Sequence, residues 1–334
     1  MNTKLLILGA VALGAMIYLT ADFGADRTPE DLQAFQAFQR KYRKVSLSAE
    51  DFDFRFNVYV DNRRYAEAIN AENRGYILGE NEFSDLTFEE FSAKYLGEVK
   101  EQSLERPTAN PNFKLIGSKD WTKEGKVTRV KNQAFCGSDW AFSTTGSLET
   151  AYALKYDKLI GWSESELVDC SSAYGNLGCN GGEMTDAFKY IKDHKLASET
   201  AYPYVPRTRK CAADYTKDDR VAITEFKILE NPVVEDLIKL IDINTVSIGI
   251  EVQREFQMYR SGIFKGSPGC GRRLNHGVLA TGYDTCPETK EDFFHVKNSW
   301  GAGWGENGYI RVLVGTGAGT CGVASRDDVY PIIA

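Results

Sequence analysis

The sequence predicts an α+β chain, helical in its leading third and mixed helix and strand in the rest. Three observations predict it. Apolar residues recur at helical spacing between about residues 29 and 70. A stretch from Glu105 to Ser118, with Pro107, Pro111 and small polar residues, then interrupts the pattern. Beyond it the signals are mixed, and from about Val221 short runs such as Thr245 to Val252 and Gly277 to Tyr283 are strand-like.

The first element is a leader. Lys4 precedes an apolar run from Leu5 to Leu19, too short for a comfortable membrane span but suited to a signal peptide over residues 1–21. Ala21 is a small residue for cleavage, but Leu19 two places earlier is not, so an uncleaved signal anchor is the alternative. All seven cysteines come from Cys136 onward, which agrees with an exported, oxidised domain; the odd count leaves at least one unpaired. The sequence alone leaves the pairing open. No Asn-x-Ser/Thr sequon is present, so N-glycosylation is not expected.

Thr28-Pro29-Glu30-Asp31 reads as a helix start, with Thr28 as cap and Pro29 at the first helical position. Leu32, Phe35, Phe38 and Tyr42 follow at helical spacing. A second start lies at Ser48, after which Asp51, Arg55, Tyr59, Asn62, Ala66 and Asn70 fall on one stripe of a long helix. Gly79-Glu80-Asn81-Glu82-Phe83-Ser84-Asp85 comes next, and the 105–118 stretch reads as an exposed connector open to proteases. Asp139 to about Lys155 is expected to be helical. With 334 residues, 43% of them hydrophobic, the chain can bury a sizeable core. A net charge of -7 and a pI near 5.3 exclude a nucleic-acid binder, which needs basic groups for phosphate.

Lys131-Asn132-Gln133-Ala134-Phe135-Cys136-Gly137-Ser138-Asp139-Trp140-Ala141-Phe142-Ser143 resembles the active-site motif of papain-like cysteine peptidases, which place the nucleophilic cysteine where Asp139 stands. Leu274-Asn275-His276-Gly277-Val278 resembles their histidine motif. Lys297-Asn298-Ser299-Trp300-Gly301 with Gly303-Trp304-Gly305 resembles their asparagine motif, and Gly178-Cys179-Asn180-Gly181-Gly182 fills the middle. The stripe from Asp51 to Asn70 and the Gly79 to Asp85 segment resemble the propeptide signatures of the cathepsin L-like subgroup. Two positions there depart from the pattern: Asp51 replaces glutamate and Ala66 replaces an aliphatic residue.

The resemblance implies a papain-like two-subdomain fold, a helical half and a β-barrel half with a cleft between. A helical inhibitory propeptide over 22–113 precedes a peptidase domain over 114–334. In the family a cysteine at a helix N-terminus beside a histidine ionises and attacks the peptide carbonyl. The histidine protonates the leaving amine, an asparagine orients the ring, and a glutamine amide and a backbone N–H hold the oxyanion. By position those three roles fall to His276, Asn298 and Gln133, with Trp300 shielding the His276–Asn298 contact. Gly181, Gly182, Met184, Gly277 and Trp300 should line substrate subsites, with Arg326 or Asp327 near the base of the specificity pocket. Disulfides Cys136–Cys179, Cys170–Cys211 and Cys270–Cys321 are implied, leaving Cys286 free. His194 and His295 sit in no motif and read as ordinary surface or strand residues.

Asp139 suits the helix end and can pair with His276 as a thiolate would. It is a poor nucleophile for amides, because from the tetrahedral adduct carboxylate leaves far more readily than amine. A water-activating aspartic mechanism needs two carboxylates sharing a proton, and only Glu183 could serve as the second. A metal site of Asp139, His276 and Cys136 fails on spacing, so neither metal nor cofactor is expected. The expectation is a secreted or lysosomal/vacuolar proenzyme of a cysteine endopeptidase, inactive as written. The alternative is a non-catalytic pseudopeptidase that binds peptides or serves as a storage or structural protein. The expected partners are peptide or protein ligands in the cleft and the chain's own propeptide, with no nucleic acid, and the expected state is a monomer.

Overall fold

Local sequence sets the helix starts. The computed structural model describes residues 27–97, 100–101, 110, 113–217, 219–267, 269–271, 273–324 and 328–334. The expected signal peptide, half of the connector, and Arg326 and Asp327 lie outside these residues. Thr28 caps α1 (Pro29–Tyr42): its hydroxyl accepts the Asp31 N–H, and the Asp31 carboxylate in turn accepts the Thr28 N–H. In α2 (Ala49–Ala71) the stripe binds returning backbone. Arg55 donates to the Asp85 carbonyl, and the Asn62 amide donates to the carbonyls of Ser84 and Leu86.

The described residues form two compact units: residues up to Tyr65 with Ser84–Thr87, and Ala66–Phe83 with Phe88–Ala334. The smaller unit is an aromatic core. Leu32, Phe35 and Phe38 of α1 pack on Phe56, Tyr59 and Val60 of α2. Burying side chains of this size stabilises by about 1.5–3 kcal/mol each.

The larger unit begins within α2, where Asn70 exchanges two hydrogen bonds with the backbone of Leu78. That residue ends β1 (Tyr76–Leu78); α3 (Phe88–Tyr95), β2 (Lys100–Glu101) and β3 (Lys119–Asp120) follow. A helical layer comes next: α4 (Asp139–Tyr156), α5 (Glu164–Cys170) and α6 (Met184–His194). The rest is β4 (Ile223–Leu229), α7 (Val234–Ile241), β5 (Val246–Ile250), α8 (Arg254–Gln257), β6 (Tyr259–Phe264), β7 (Arg273–Leu274), β8 (His276–Thr285), β9 (Asp292–Lys297), β10 (Tyr309–Leu313) and β11 (Asp328–Ile333). Among the described residues the main sheet runs β1-β6-β10-β9-β8-β5-β11-β4, with β3 also on β8, while β2 and β7 pair separately. The α+β expectation therefore holds, with the longest helices ahead of the main run of strands.

β1 joins the edge of β6 in an antiparallel ladder, and Phe83 and Phe91 pack edge-on against Trp300. Backbone pairing and aromatic burial thus draw Ala66–Phe83 and Phe88 onward into the larger unit, although the sequence places them ahead of the connector. The helix α4 is buried almost all round, which suits its run of small and hydroxyl residues; Ser143 and Ser147 donate to the carbonyls of Val278 and Thr245. Its N-terminus lies against β8, where a Cβ on Gly277 would stand 3.1 Å from the Cα of Trp140, and the disulfide Cys136–Cys179 ties the preceding loop to the turn at 178–180. The bridges Cys170–Cys211 and Cys270–Cys321 also form, and Cys286 is a buried free thiol, in the pairing the resemblance implies.

Candidate active site

Asp139 is the first residue of α4, and its side chain is almost wholly buried. Peptide N–H groups at this end lack intrahelical acceptors, so an anion is favoured there. Oδ1 of Asp139 accepts the Gly277 N–H at 3.0 Å, and Oδ2 stands 3.4 Å from Nδ1 of His276. The opposite ring nitrogen, Nε2, lies 2.8 Å from Oδ1 of Asn298. That oxygen also accepts the Ser299 N–H at 2.8 Å, so Nε2 is the donor to it and Nδ1 faces Asp139. Trp300 stacks on the imidazole with ring centres 4.6 Å apart and is fully buried. His276 opens β8, and Asn298 follows β9, so adjacent strands fix the pair.

Gln133 lies on the loop before α4. Its Oε1 accepts the Ser299 hydroxyl at 2.6 Å, which turns Nε2 the other way. Nε2 donates to the carbonyls of Cys136 and Tyr95, both at 2.9 Å. Tyr95 ends α3, and the chain after it crosses the site. The Gly97 N–H donates to the Asn275 carbonyl, a Cβ there would stand 3.9 Å from Oδ2 of Asp139, and β2 pairs antiparallel with β7. A segment ahead of the connector thus covers the carboxylate and takes up the Gln133 amide.

The structure brings Asp139, His276, Asn298, Gln133 and Trp300 together. Gly181 lies beside the covering segment, its Cα 3.6 Å from the Cβ that Gly97 lacks. Gly182 packs where a Cβ would meet the Trp140 ring at 2.7 Å. Met184 is buried with Trp140, Leu148 and Phe188 in the helical core, and Gly277 lies against Asp139. Four features of this region gain a role only in the fold: the Tyr95–Gly97 cover, the Ser299 hydroxyl, Tyr204, and a buried charge cluster around Lys131. In that cluster Lys131 meets Glu149 at 2.7 Å and Glu164 at 2.6 Å. Burial opposes the Lys131 charge, but the two carboxylates outweigh it and hold the ammonium well above its usual range. Burial pushes neighbouring Lys297 down to about 8 against the pull of Glu149. His295 faces Asp120 across 3.9 Å, and burial lowers its imidazole below the ordinary value.

Residues 116–332 match the papain family cysteine protease model. The chain belongs to the papain family of cysteine proteases. Residues 35–91 also match the cathepsin propeptide inhibitor domain. This family member is similar to cysteine proteinase 3 of Solanum lycopersicum, 39% identical over 310 residues that cover 90% of this chain and 85% of the relative. It is similar to the cathepsin L-like proteinase of Fasciola hepatica, 39% identical over 89% of this chain and 92% of the relative. Among solved structures, digestive procathepsin L 3 of Tenebrio molitor larval midgut superposes with a TM-score of 0.79 at 33% identity, covering 91% of this chain and 99% of the other. The ragweed Amb a 11 cysteine protease in its proform gives 0.80 at 32% identity, with 92% and 96% covered. The chain is thus a cathepsin L-like, papain-family zymogen with a papain-like α+β fold, and its helical leading segment is an intramolecular inhibitor.

Proposed function

We propose that this zymogen encodes a cysteine-type endopeptidase site whose hydrolytic step is blocked because Asp139 stands in the nucleophile's place. One observation carries the reading: the Asp139 carboxylate faces Nδ1 of His276 at 3.4 Å while Asn298 holds Nε2 at 2.8 Å. His276, Asn298 and Gln133 are read as acid–base, orienting and oxyanion-binding groups. A thiolate at position 139 would add to the carbonyl carbon, and the adduct would collapse with loss of the amine as His276 delivers its proton. Water would then hydrolyse the thioester. A carboxylate adding to the same carbon would form a mixed-anhydride precursor. Its collapse expels the carboxylate, the better leaving group, and returns the peptide. The Gly277 N–H bond to Oδ1 further ties down the attacking group.

The same reading makes residues 1–21 a signal peptide, 22–113 the propeptide and 114–334 the peptidase domain, in a secreted or lysosomal/vacuolar monomer that takes peptide or protein ligands in its cleft. A domain without a nucleophile cannot process itself, so another peptidase must cut the 107–118 connector. The test is a fluorogenic peptide assay of the propeptide-freed chain beside Asp139→Cys. Turnover is expected only in the variant, by a factor on the order of 10⁴ or more. Ordinary cathepsin-like turnover by the unaltered chain, cleared of contaminating hydrolases, would overturn the proposal. Activity in neither protein would favour the pseudopeptidase that only binds peptides.

A further inference from the structure

Ser138 occupies the N-cap position of α4, where a serine usually accepts an N–H bond from the first turn, yet its side chain makes no capping bond. The residue is fully buried, so its hydroxyl needs another partner. That partner is the phenol of Tyr204, 2.8 Å away. Tyr204 in turn donates to the backbone carbonyl of Gln133 at 2.7 Å. With that proton committed to Gln133, Ser138 is the donor of the first bond, and the chain runs Ser138 O–H to Tyr204 O–H to Gln133 carbonyl.

We infer that Tyr204 is a positioning residue for the oxyanion-binding donors, tying the Gln133 loop to the uncapped N-terminus of α4. The inference rests on the site reading given above, in which Gln133 and a backbone N–H hold the oxyanion. Both donors depend on one phenol. The Ser138 carbonyl accepts the Ala141 N–H at 2.8 Å, while its diverted hydroxyl leaves the N–H of Asp139, at the very start of α4, uncapped by a side chain and available to developing negative charge. The Gln133 carbonyl, pulled toward Tyr204, sets the loop from which the carboxamide projects. The ring is seated edge-on against Phe142, one turn into the same helix, with centres 4.8 Å apart. Burial pushes the phenol well above its usual range, so it remains a hydrogen-bond donor throughout the working pH.

The test uses the propeptide-freed Asp139→Cys protein with and without Tyr204→Phe, and two probes of one peptide sequence ending in an aldehyde or the corresponding alcohol. The Cys thiolate adds to the aldehyde carbon, the carbonyl π pair moves to oxygen, and that oxygen needs the donors; the alcohol binds without forming an oxyanion. Tyr204→Phe is expected to weaken the aldehyde about tenfold and leave the alcohol unchanged, the loss of one buried hydrogen bond. Ser138→Ala should act in the same direction, and it keeps the test open if the phenylalanine variant fails to fold. Equal weakening of both probes, or of neither, overturns the role of Tyr204. If Asp139→Cys itself binds the alcohol but forms no aldehyde adduct, the site reading falls, and this inference falls with it.

Discussion

The Gly277 N–H donates to Oδ1 of Asp139 across the junction of α4 and β8, over 3.0 Å. The approach is close because residue 277 has no side chain: a Cβ there would lie 3.2 Å from the same oxygen. A thiol is a weaker acceptor than a carboxylate, so the chemistry and the stability of this site pull in opposite directions.

Asp139→Cys should therefore gain turnover and lose stability. Leaving the buried Gly277 donor poorly satisfied costs about 1–3 kcal/mol. Denaturant unfolding of the two propeptide-freed proteins measures this, and an unchanged or higher midpoint for the variant would show that the bond contributes nothing.

The strand β1, which precedes the covering segment in the chain, has its own anchor. Tyr76 of β1 donates to Glu255 of α8, and Arg74 pairs with the same carboxylate at 3.1 Å. Removing the phenol oxygen takes away a charge-assisted bond of about 1.5–3 kcal/mol. In an Asp139→Cys proenzyme, Tyr76→Phe should raise activity before processing by about tenfold or more. Equal latency in the two proenzymes would count against this anchor.

Lys131 holds two buried carboxylates, and removal of one member of such a cluster leaves uncompensated charge. Lys131→Met should destabilise by about 3–5 kcal/mol, measured by chemical unfolding. Lys131→Met together with Glu149→Gln should recover part of that loss, because one stranded carboxylate is neutralised. A single variant within 1 kcal/mol of the parent, about the worth of a surface pair, would refute the cluster's importance.

His295 gives a pH prediction. Burial, helped by Lys123 and Arg311 and opposed by Asp120 and Asp284, places its folded value below the ordinary 6.5. As pH falls, the unfolded chain takes up the proton first, so stability present above about 6.5 is lost as pH drops through the folded value. His295→Phe, seated against Phe293, should lose less thermal stability between about pH 7 and pH 5 than the parent. Parallel pH curves for the two proteins would assign the loss to other groups.

Much of the site could be read in one dimension. Gln133, Asp139, His276, Asn298 and Trp300 each sit in a motif whose neighbours identify them; the structure brings Asp139, His276, Asn298 and Trp300 into polar or stacking contact and joins Gln133 to Ser299 beside them. His295 could not be read that way: its strand pattern is ordinary, and only the packing of β3 and β9 decides that it is half-buried beside Asp120. Tyr204 is equally mute in sequence, because its partners Ser138 and Gln133 lie 66 and 71 residues away.

By itself the sequence determined the helix starts at Thr28 and Ser48, the order of the chemical groups and the aspartate at 139, since these depend on short-range caps, periodicity and residue identity. Only the tertiary structure decided that Gly97 covers the carboxylate while Tyr95 takes up the Gln133 amide, that Gly277 bonds to Asp139, and that Ser138 turns away from its own helix. Those outcomes depend on which distant buried donor meets which acceptor, and a chain folded on itself settles them by satisfying polar groups that water no longer reaches.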